Sequence, residues 1–388
     1  MSRRRHKIIY WIFRHPVWLF LKIKFGYKYK KIKELPENYL VISNHTTDYD
    51  PVMVAMSFKK QMYYVASEHV SNWGLASKLL RFGFDPILRS KGTIAASTVK
   101  AILRRLKGGD NVCLFAEGTR TWDGVTHPIH PSTASLVRAG RCGLVTYRLV
   151  GGYFATPMWS ASGNVRRGPI SGAPVNVYTK EQIAAMSDSE LVEAINRDLY
   201  EDAYARQLAE PKVYKSKKGA EGLESLIYIC PACGKYDTLS SKDNTVRCSS
   251  CGLEMKYDEY GMLSGIEQKT VYQLAALQRE KIREDVSAGK IYEIDEAEMF
   301  VVKNHERISK AKGKLSISFD SLICGDVEIP IVKIPDIAMH GRYAMVFPYD
   351  GEYLEIVGSK NSNVLKFQLY YQDAKKLINS QKEQAVNN

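Results

Sequence analysis

The chain has no long apolar run. Its longest charge-free stretches of large hydrophobic residues, Ile8–Phe13 and Val17–Leu21, are six and five residues long, whereas a helix that crosses a bilayer needs roughly 18–20. Arg14, His15 and Pro16 separate the two stretches. No small-residue cleavage site follows them, so a secretory signal peptide is also a poor fit. Cysteine is sparse and odd in number, seven among 388 residues. Without a secretory signal, that argues against a disulfide framework and for a reducing cytosol. Acidic residues are almost missing from one end: residues 1–34 hold eleven Lys and Arg against Glu34 alone, ten units of the chain's net +13. No internal repeat is visible, and no low-complexity stretch lies outside this basic end. With 45% hydrophobic and 25% charged residues, the composition is globular, and the length allows two or three domains.

The basic end is also rich in bulky apolar residues, among them Ile8, Trp11, Ile12, Phe13, Trp18, Leu19 and Phe20. Trp and Tyr favour the headgroup boundary, and Lys and Arg favour anionic lipid. Residues 1–33 therefore read as an interfacial anchor on an anionic membrane surface. The alternative is a basic helix that packs on the domain. A nucleic-acid arm is not favoured, because the aliphatic bulk exceeds what phosphate binding needs.

From Tyr39 onward, strand-like and helix-like blocks alternate. Strands are expected at Tyr39–Ser43, Met62–Ala66, Asn111–Ala116 and Gly143–Val150. Helices are expected from Asp50 to about Phe58 and over Ser71–Arg81, Thr93–Leu106, Pro131–Ala139 and residues 188–208. Ser187 and Glu190 offer a capping box for the last of these. This pattern predicts an α/β layer architecture over residues 34–210. Residues 211–224 read as a Lys-rich linker, 225–258 as a ribbon, and 259–388 as a helix followed by a small β-rich α+β domain. About six short β-type runs, Leu365–Tyr370 the last of them, and a closing helix near Asp373–Asn379 suggest a pleckstrin-homology-like or GRAM-like module.

Two motifs carry chemistry. Cys230-Pro-Ala-Cys233-Gly and Cys248-Ser-Ser-Cys251-Gly are two knuckles, fourteen residues apart. Four thiolates at this spacing close a tetrahedral zinc site, which leaves no open position and so makes the zinc structural. The second motif is Asn44-His45-Thr46-Thr47-Asp48-Tyr49-Asp50. A carboxylate on one imidazole nitrogen fixes the tautomer, and the other nitrogen can then take a proton from a substrate hydroxyl. By spacing alone, Asp50 also reads as a helix cap before Pro51, and His45 as a loop histidine. Arg89 and Arg120 can bind phosphate through forked hydrogen bonds, or can sit in ordinary surface ion pairs.

Three blocks in order decide between these readings. Asn44-His45 to Asp50, then Gly83-Phe84-Asp85-Pro86-Ile87-Leu88-Arg89, then Phe115-Ala116-Glu117-Gly118-Thr119-Arg120 resemble the conserved blocks of the glycerophospholipid acyltransferase family, whose best-known members acylate lysophosphatidic acid. The resemblance covers about residues 36–165. It implies an α/β fold with a mixed sheet flanked by helices, and His45 and Asp50 as the catalytic pair. It also implies that Arg89, Glu117, Gly118, Thr119 and Arg120 bind the acceptor. The implied reaction takes an acyl group from acyl-CoA or acyl carrier protein to a lysophospholipid, at the cytoplasmic face of a membrane. The chain departs from the family at Ala116, where many members have Pro, and at Thr146, near the proline expected in a fourth block. Another lysolipid or an amino-acid lipid as acceptor, and a non-catalytic membrane adaptor or ribbon-type binding protein, are the competing readings.

Overall fold

The computed structural model describes residues 3–67, 84–89, 96–161, 164–303, 306–359 and 362–387. The helix expected at Ser71–Arg81, Gly83 of the second block and the first residues of the expected helix at 93–106 lie outside them.

The first seven strands are β1 (Lys28–Tyr29), β2 (Tyr39–Ser43), β3 (Met62–Ser67), β4 (Ile87–Arg89), β5 (Asn111–Leu114), β6 (Gly143–Val150) and β7 (Ser171–Tyr178). They form one sheet in the order β1-β7-β6-β2-β5-β3-β4. Every neighbouring pair is parallel except β6 and β7, so the sheet is mixed, as the resemblance implies. Strand β2 is buried at all five positions, and its side chains alternate between two cores. Leu40 and Ile42 face Ile102, Leu106, Val137, Leu191 and Ile195; Tyr39 and Val41 join Leu21, Phe25, Met53 and Val54. The first core is covered by α3 (Ala96–Lys107), α4 (Ser132–Gly140) and α5 (Asp188–Leu199). The second is covered by α1 (Arg3–Phe25) and α2 (Asp50–Ala55).

Strand β7 was not legible in the sequence. It contains Gly172 and Pro174, both poor strand residues. The register slips by one residue between Thr146 and Tyr147, so β7 carries a bulge next to Pro174. Gly172 is needed there, because a Cβ would lie 2.4 Å from the Tyr27 hydroxyl and 2.5 Å from that of Tyr147. The expected single helix over 188–208 is two, α5 and α6 (Ala203–Ala209), the second capped by Asp202 Oδ1 on the Ala205 N–H at 2.8 Å. The Ser187–Glu190 capping box is present. Thr146 has a function of its own at the departure from the family: its hydroxyl donates to buried Asp198 at 2.8 Å, and Tyr178 and Asn176 donate to the same carboxylate. A proline there would remove one of three donors holding α5 on the sheet.

Beyond the sheet, the linker is packed and not loose. Tyr214, Ala220 and Leu223 are buried, and the Tyr214 N–H donates to Glu259 O at 2.7 Å. A four-stranded antiparallel ribbon follows, β8 (Leu239–Lys242), β9 (Thr245–Cys248), β10 (Glu254–Tyr257) and β11 (Leu263–Ser264). Helix α7 (Val271–Ser287) leads into seven antiparallel strands: β12 (Tyr292–Lys303), β13 (Glu306–Ile317), β14 (Ser321–Cys324), β15 (Val327–Pro330), β16 (Ala338–His340), β17 (Ala344–Tyr349) and β18 (Glu352–Gly358). Their order is β15-β14-β13-β12-β18-β17-β16, and α8 (Leu365–Asn387) closes the chain. The β-rich tail is therefore present with seven strands, one more than expected. The run Leu365–Tyr370 is not a strand: it is the start of α8, with Phe367, Tyr370, Tyr371 and Ala374 buried on one helical face. One hydrophobic core runs from Tyr10 through Trp159, Cys230 and Cys248 to Ile378, so mixed sheet, ribbon and tail share packing.

Candidate active site

The loop between β2 and α2 carries His45 and Asp50. His45 Nδ1 lies 2.9 Å from Asp50 Oδ2. Asp50 is fully buried and is held from four further directions. The N–H groups of Thr46 and Thr47 donate to Oδ2 at 2.5 and 2.9 Å, and the two threonine hydroxyls donate to Oδ1 at 3.3 and 2.7 Å. These donors precede Asp50 in the chain, so its carboxylate points back into the loop and does not cap α2; the residue before the helix is Tyr49. The imidazole stacks on Phe115, with ring centroids 4.4 Å apart. With Nδ1 engaged and the side chain 22% exposed, Nε2 is the nitrogen left for a substrate. Neither the two threonines nor Phe115 was singled out in the sequence. The hydroxyl pair between His and Asp is the signal that could have found the first two.

Glu117 is brought to the same loop, but in a different role from the expected acceptor contact. Its Oε1 accepts the His45 N–H at 2.7 Å and its Oε2 accepts the His127 N–H at 3.0 Å. Burial pushes its carboxyl up to about 8, against the pull of those two donors. Both oxygens thus accept from main chain, and Glu117 ties the His45–Asp50 loop to His127. Gly118 has φ +75°, and a Cβ there would sit 3.6 Å from Arg89 Nη1, so this position in the left-handed region lies against the Arg89 guanidinium. Arg89 Nε is buried with no partner among the described residues. Arg120 Nε is 3.4 Å from Asp48, which is 69% exposed, and its Nη1 donates to Thr156 O at 3.4 Å. Thr119 keeps only a weak contact from its hydroxyl to Arg120 O, at 3.5 Å.

Two recesses flank this centre. A cleft of about 530 Å³ is walled by Val65, Val99, Ile102, Leu114, Ile129 and Leu136, with Arg89 and Gly118 also in its lining. A second, of about 370 Å³, is lined by Asp48, Tyr49, Arg120 and Thr156 together with tail residues.

Helix α1 lies on the same side as α2. The Tyr10 hydroxyl lies 2.8 Å from both Ala55 O, at the end of α2, and Phe58 O in the turn beyond it; Arg14 donates to the same two carbonyls and to Met56 O at 2.5 Å. Arg14, which interrupts the apolar run in sequence, therefore points inward. Ile8, Ile12, Leu19 and Ile23 form one outward stripe, each at least half exposed. No described helix is long and apolar enough to cross a membrane.

The four knuckle cysteines converge, and all four Sγ atoms lie within 4.8 Å of one another. Cys230 Sγ is 3.7 Å from Cys251 Sγ, and Cys233 Sγ is 3.9 Å from Cys248 Sγ. A tetrahedron with metal–sulfur bonds of about 2.3 Å has edges of about 3.8 Å, so the thiols fit a bound metal ion. Gly234 and Gly252 take φ +70° and +75° directly after each pair.

Residues 27–150 match the family model described as Acyltransferase. No curated protein matches the chain. Among solved structures, that of the 1-acyl-sn-glycerophosphate (LPA) acyltransferase PlsC from Thermotoga maritima is similar over 53% of this chain and 80% of that one. The identity is 16% and the TM-score 0.42.

Proposed function

We propose that this chain, whose residues 27–150 match the Acyltransferase family model, moves a fatty acyl group from a thioester donor to the free hydroxyl of 1-acyl-glycerol-3-phosphate at a membrane surface. The observation that carries the reading is the His45–Asp50 pair, in contact through Nδ1 at 2.9 Å, with Nε2 free to meet a substrate hydroxyl. His45 Nε2 takes the hydroxyl proton as the oxygen attacks the thioester carbonyl. Asp50 stabilises the imidazolium that forms. The tetrahedral intermediate collapses by breaking the carbon–sulfur bond, and the imidazolium returns the proton to the leaving thiolate. The products are the new ester and the free thiol of coenzyme A or acyl carrier protein. Arg89 and Arg120 suit the acceptor's phosphate, and the apolar cleft beside Gly118 suits the acyl chain.

The outward stripe of α1 and the basic residues around it support an interfacial seat on anionic lipid, at the cytoplasmic face. The four-thiolate cluster suits a structural zinc ion, which would be held by Cys230, Cys233, Cys248 and Cys251 and would tie the ribbon together. The test is acyl transfer to lysophosphatidic acid in vesicles, with acyl-CoA and acyl carrier protein donors, for the intact chain and His45→Ala. Phosphatidic acid from the intact chain alone supports the reading and identifies the donor. Equal product from His45→Ala sinks it, and absence of product from both moves the acceptor to another lysolipid.

A further inference from the structure

The tail domain reaches into the transferase centre. The stretch from Asp336 to Tyr343, which holds β16 and the turn into β17, runs alongside the Glu117–Arg120 block. Asp336 lies near enough to Arg89 for that charge to oppose the upward push of burial on its carboxyl. Met339 lines one cavity with Glu117 and Thr119, and Arg342 lines another with Arg120, Asp48 and Tyr49. Asp48 and Tyr49 belong to the His45–Asp50 loop, and the residue after Arg120 donates its N–H to His45 O at 3.1 Å. This second cavity is therefore next to the catalytic histidine.

Arg342 is held in place at this cavity from two sides. Its guanidinium lies over the Tyr343 ring, 4.7 Å from the centroid, and Nη1 donates to Trp159 O at 3.3 Å. Gly222 in the packed linker leaves room for both partners of this bond: it has φ +97°, and a Cβ there would lie 2.3 Å from Trp159 O and 2.4 Å from Arg342 Nη1. Among the described residues, Arg342 has no carboxylate within ion-pair distance. The cavity thus contains two guanidiniums and one mostly exposed acid, Asp48. It also contains Thr156, whose buried hydroxyl has no partner among the described residues. A phosphate monoester supplies the charge and the acceptor oxygens that this set lacks.

We propose that Arg342, contributed by the β-rich tail, is a further cation, beside Arg120, for the acceptor's phosphate monoester headgroup, so that the tail completes the acceptor site. This rests on the reading of the site as an acyltransferase that takes a lysolipid. Arg342 would act on acceptor recognition and leave proton transfer at His45 untouched.

The experiment uses the full chain with Arg342→Ala and Arg342→Lys, and has a kinetic and a binding arm. In acyl transfer to lysophosphatidic acid, Arg342→Ala raises the acceptor KM about tenfold or more, the loss of one charge-assisted hydrogen bond, with kcat within about twofold. Arg342→Lys recovers part of the loss. An unchanged KM, or a fall in kcat alone, overturns the proposal. Equilibrium binding of a short-chain lysophosphatidic acid, with no donor present, tests the same pocket if the intact chain shows no turnover. That absence would count against the function reading; equal binding by Arg342→Ala would count against the role of Arg342. Monoacylglycerol, which lacks the phosphate, binds the intact chain and Arg342→Ala alike, whereas an equal loss for both lipids overturns the headgroup assignment. Inorganic phosphate competes only at far higher concentration than the lysolipid. Equal competition assigns the pocket to free phosphate and overturns the lipid assignment.

Discussion

Glu117 gives the sharpest discrimination between two accounts of the centre. If its carboxylate serves the acceptor, as the resemblance implies, replacing it raises KM and leaves stability alone. If it serves the loop, as its bonds to the His45 and His127 N–H groups indicate, both quantities suffer. Glu117→Ala orphans two N–H groups, at about 1–3 kcal/mol each, so the loss is roughly 2–6 kcal/mol. A chain of ordinary stability has about 5–15 kcal/mol in total, so this variant is near its limit. Glu117→Gln retains one acceptor oxygen and loses about half as much. Urea unfolding followed by tryptophan fluorescence measures the change, and acyl transfer at saturating acceptor measures the displacement of His45 as a fall in kcat. The pH dependence is a second signature. Burial raises the carboxyl from its ordinary 4.5 to about 8, so between these values the folded chain holds a proton that the unfolded chain has released. The folded state then binds more protons, and this group's contribution to stability falls as pH rises through that window. Glu117→Gln flattens that slope. Stability and kcat at the level of the intact chain in Glu117→Gln, with only KM raised, would refute the positioning role.

Asp50→Asn keeps the shape of the loop but offers the wrong group to Nδ1 and to its four donors, so turnover drops by roughly 10³–10⁴; a rate within tenfold of the intact chain removes Asp50 from catalysis. Chelation or Cys233→Ser releases one zinc ion per chain and lowers the melting temperature of the whole molecule, because Cys230 and Cys248 belong to the core that also holds Trp159; calorimetry showing an unchanged transition after metal loss contradicts this. Ile12→Glu with Ile23→Glu, at residues 61% and 67% exposed, weakens binding to anionic vesicles by about 1 kcal/mol or more per site without changing stability. Unchanged flotation with vesicles rules out the outward stripe as the membrane contact.

The sequence displayed the centre better than the frame around it. His45 and Asp50 lie five positions apart and Glu117–Arg120 is a contiguous block, so each motif is compact in the chain and their order, matched to a known family, made them readable; the cysteine knuckles were readable from their own spacing. Glu117's task was not readable, because it depends on which main-chain groups the fold brings to it across 72 residues. Strand β7 was hidden by Gly172 and Pro174, whose presence reflects close packing on Tyr27 and Tyr147 and a bulge, features that exist only once the strands are paired. The start of α8 was mistaken for a strand because Leu365–Tyr370 is dense in apolar residues, and a short apolar run does not reveal its period. Arg342 lies 222 residues beyond Arg120 in sequence, and nothing local marks it.

Helix α2 is six residues long and bears a different duty at each end. Asp50 stands at its first position, and its last carbonyls are received by Tyr10 and Arg14 of α1. The segment proposed to face lipid and the carboxylate bonded to the histidine are thus braced by a single turn and a half of backbone. The basic N-terminal segment is therefore no detachable tether: cutting the chain at residue 34 would also strip the carbonyl partners from α2 and remove β1 from the sheet. A truncated enzyme that lost activity would say nothing about lipid. Only changes confined to the outward stripe can separate docking from chemistry, and if α1 seats on a bilayer as proposed, a force on it has a direct mechanical route to His45.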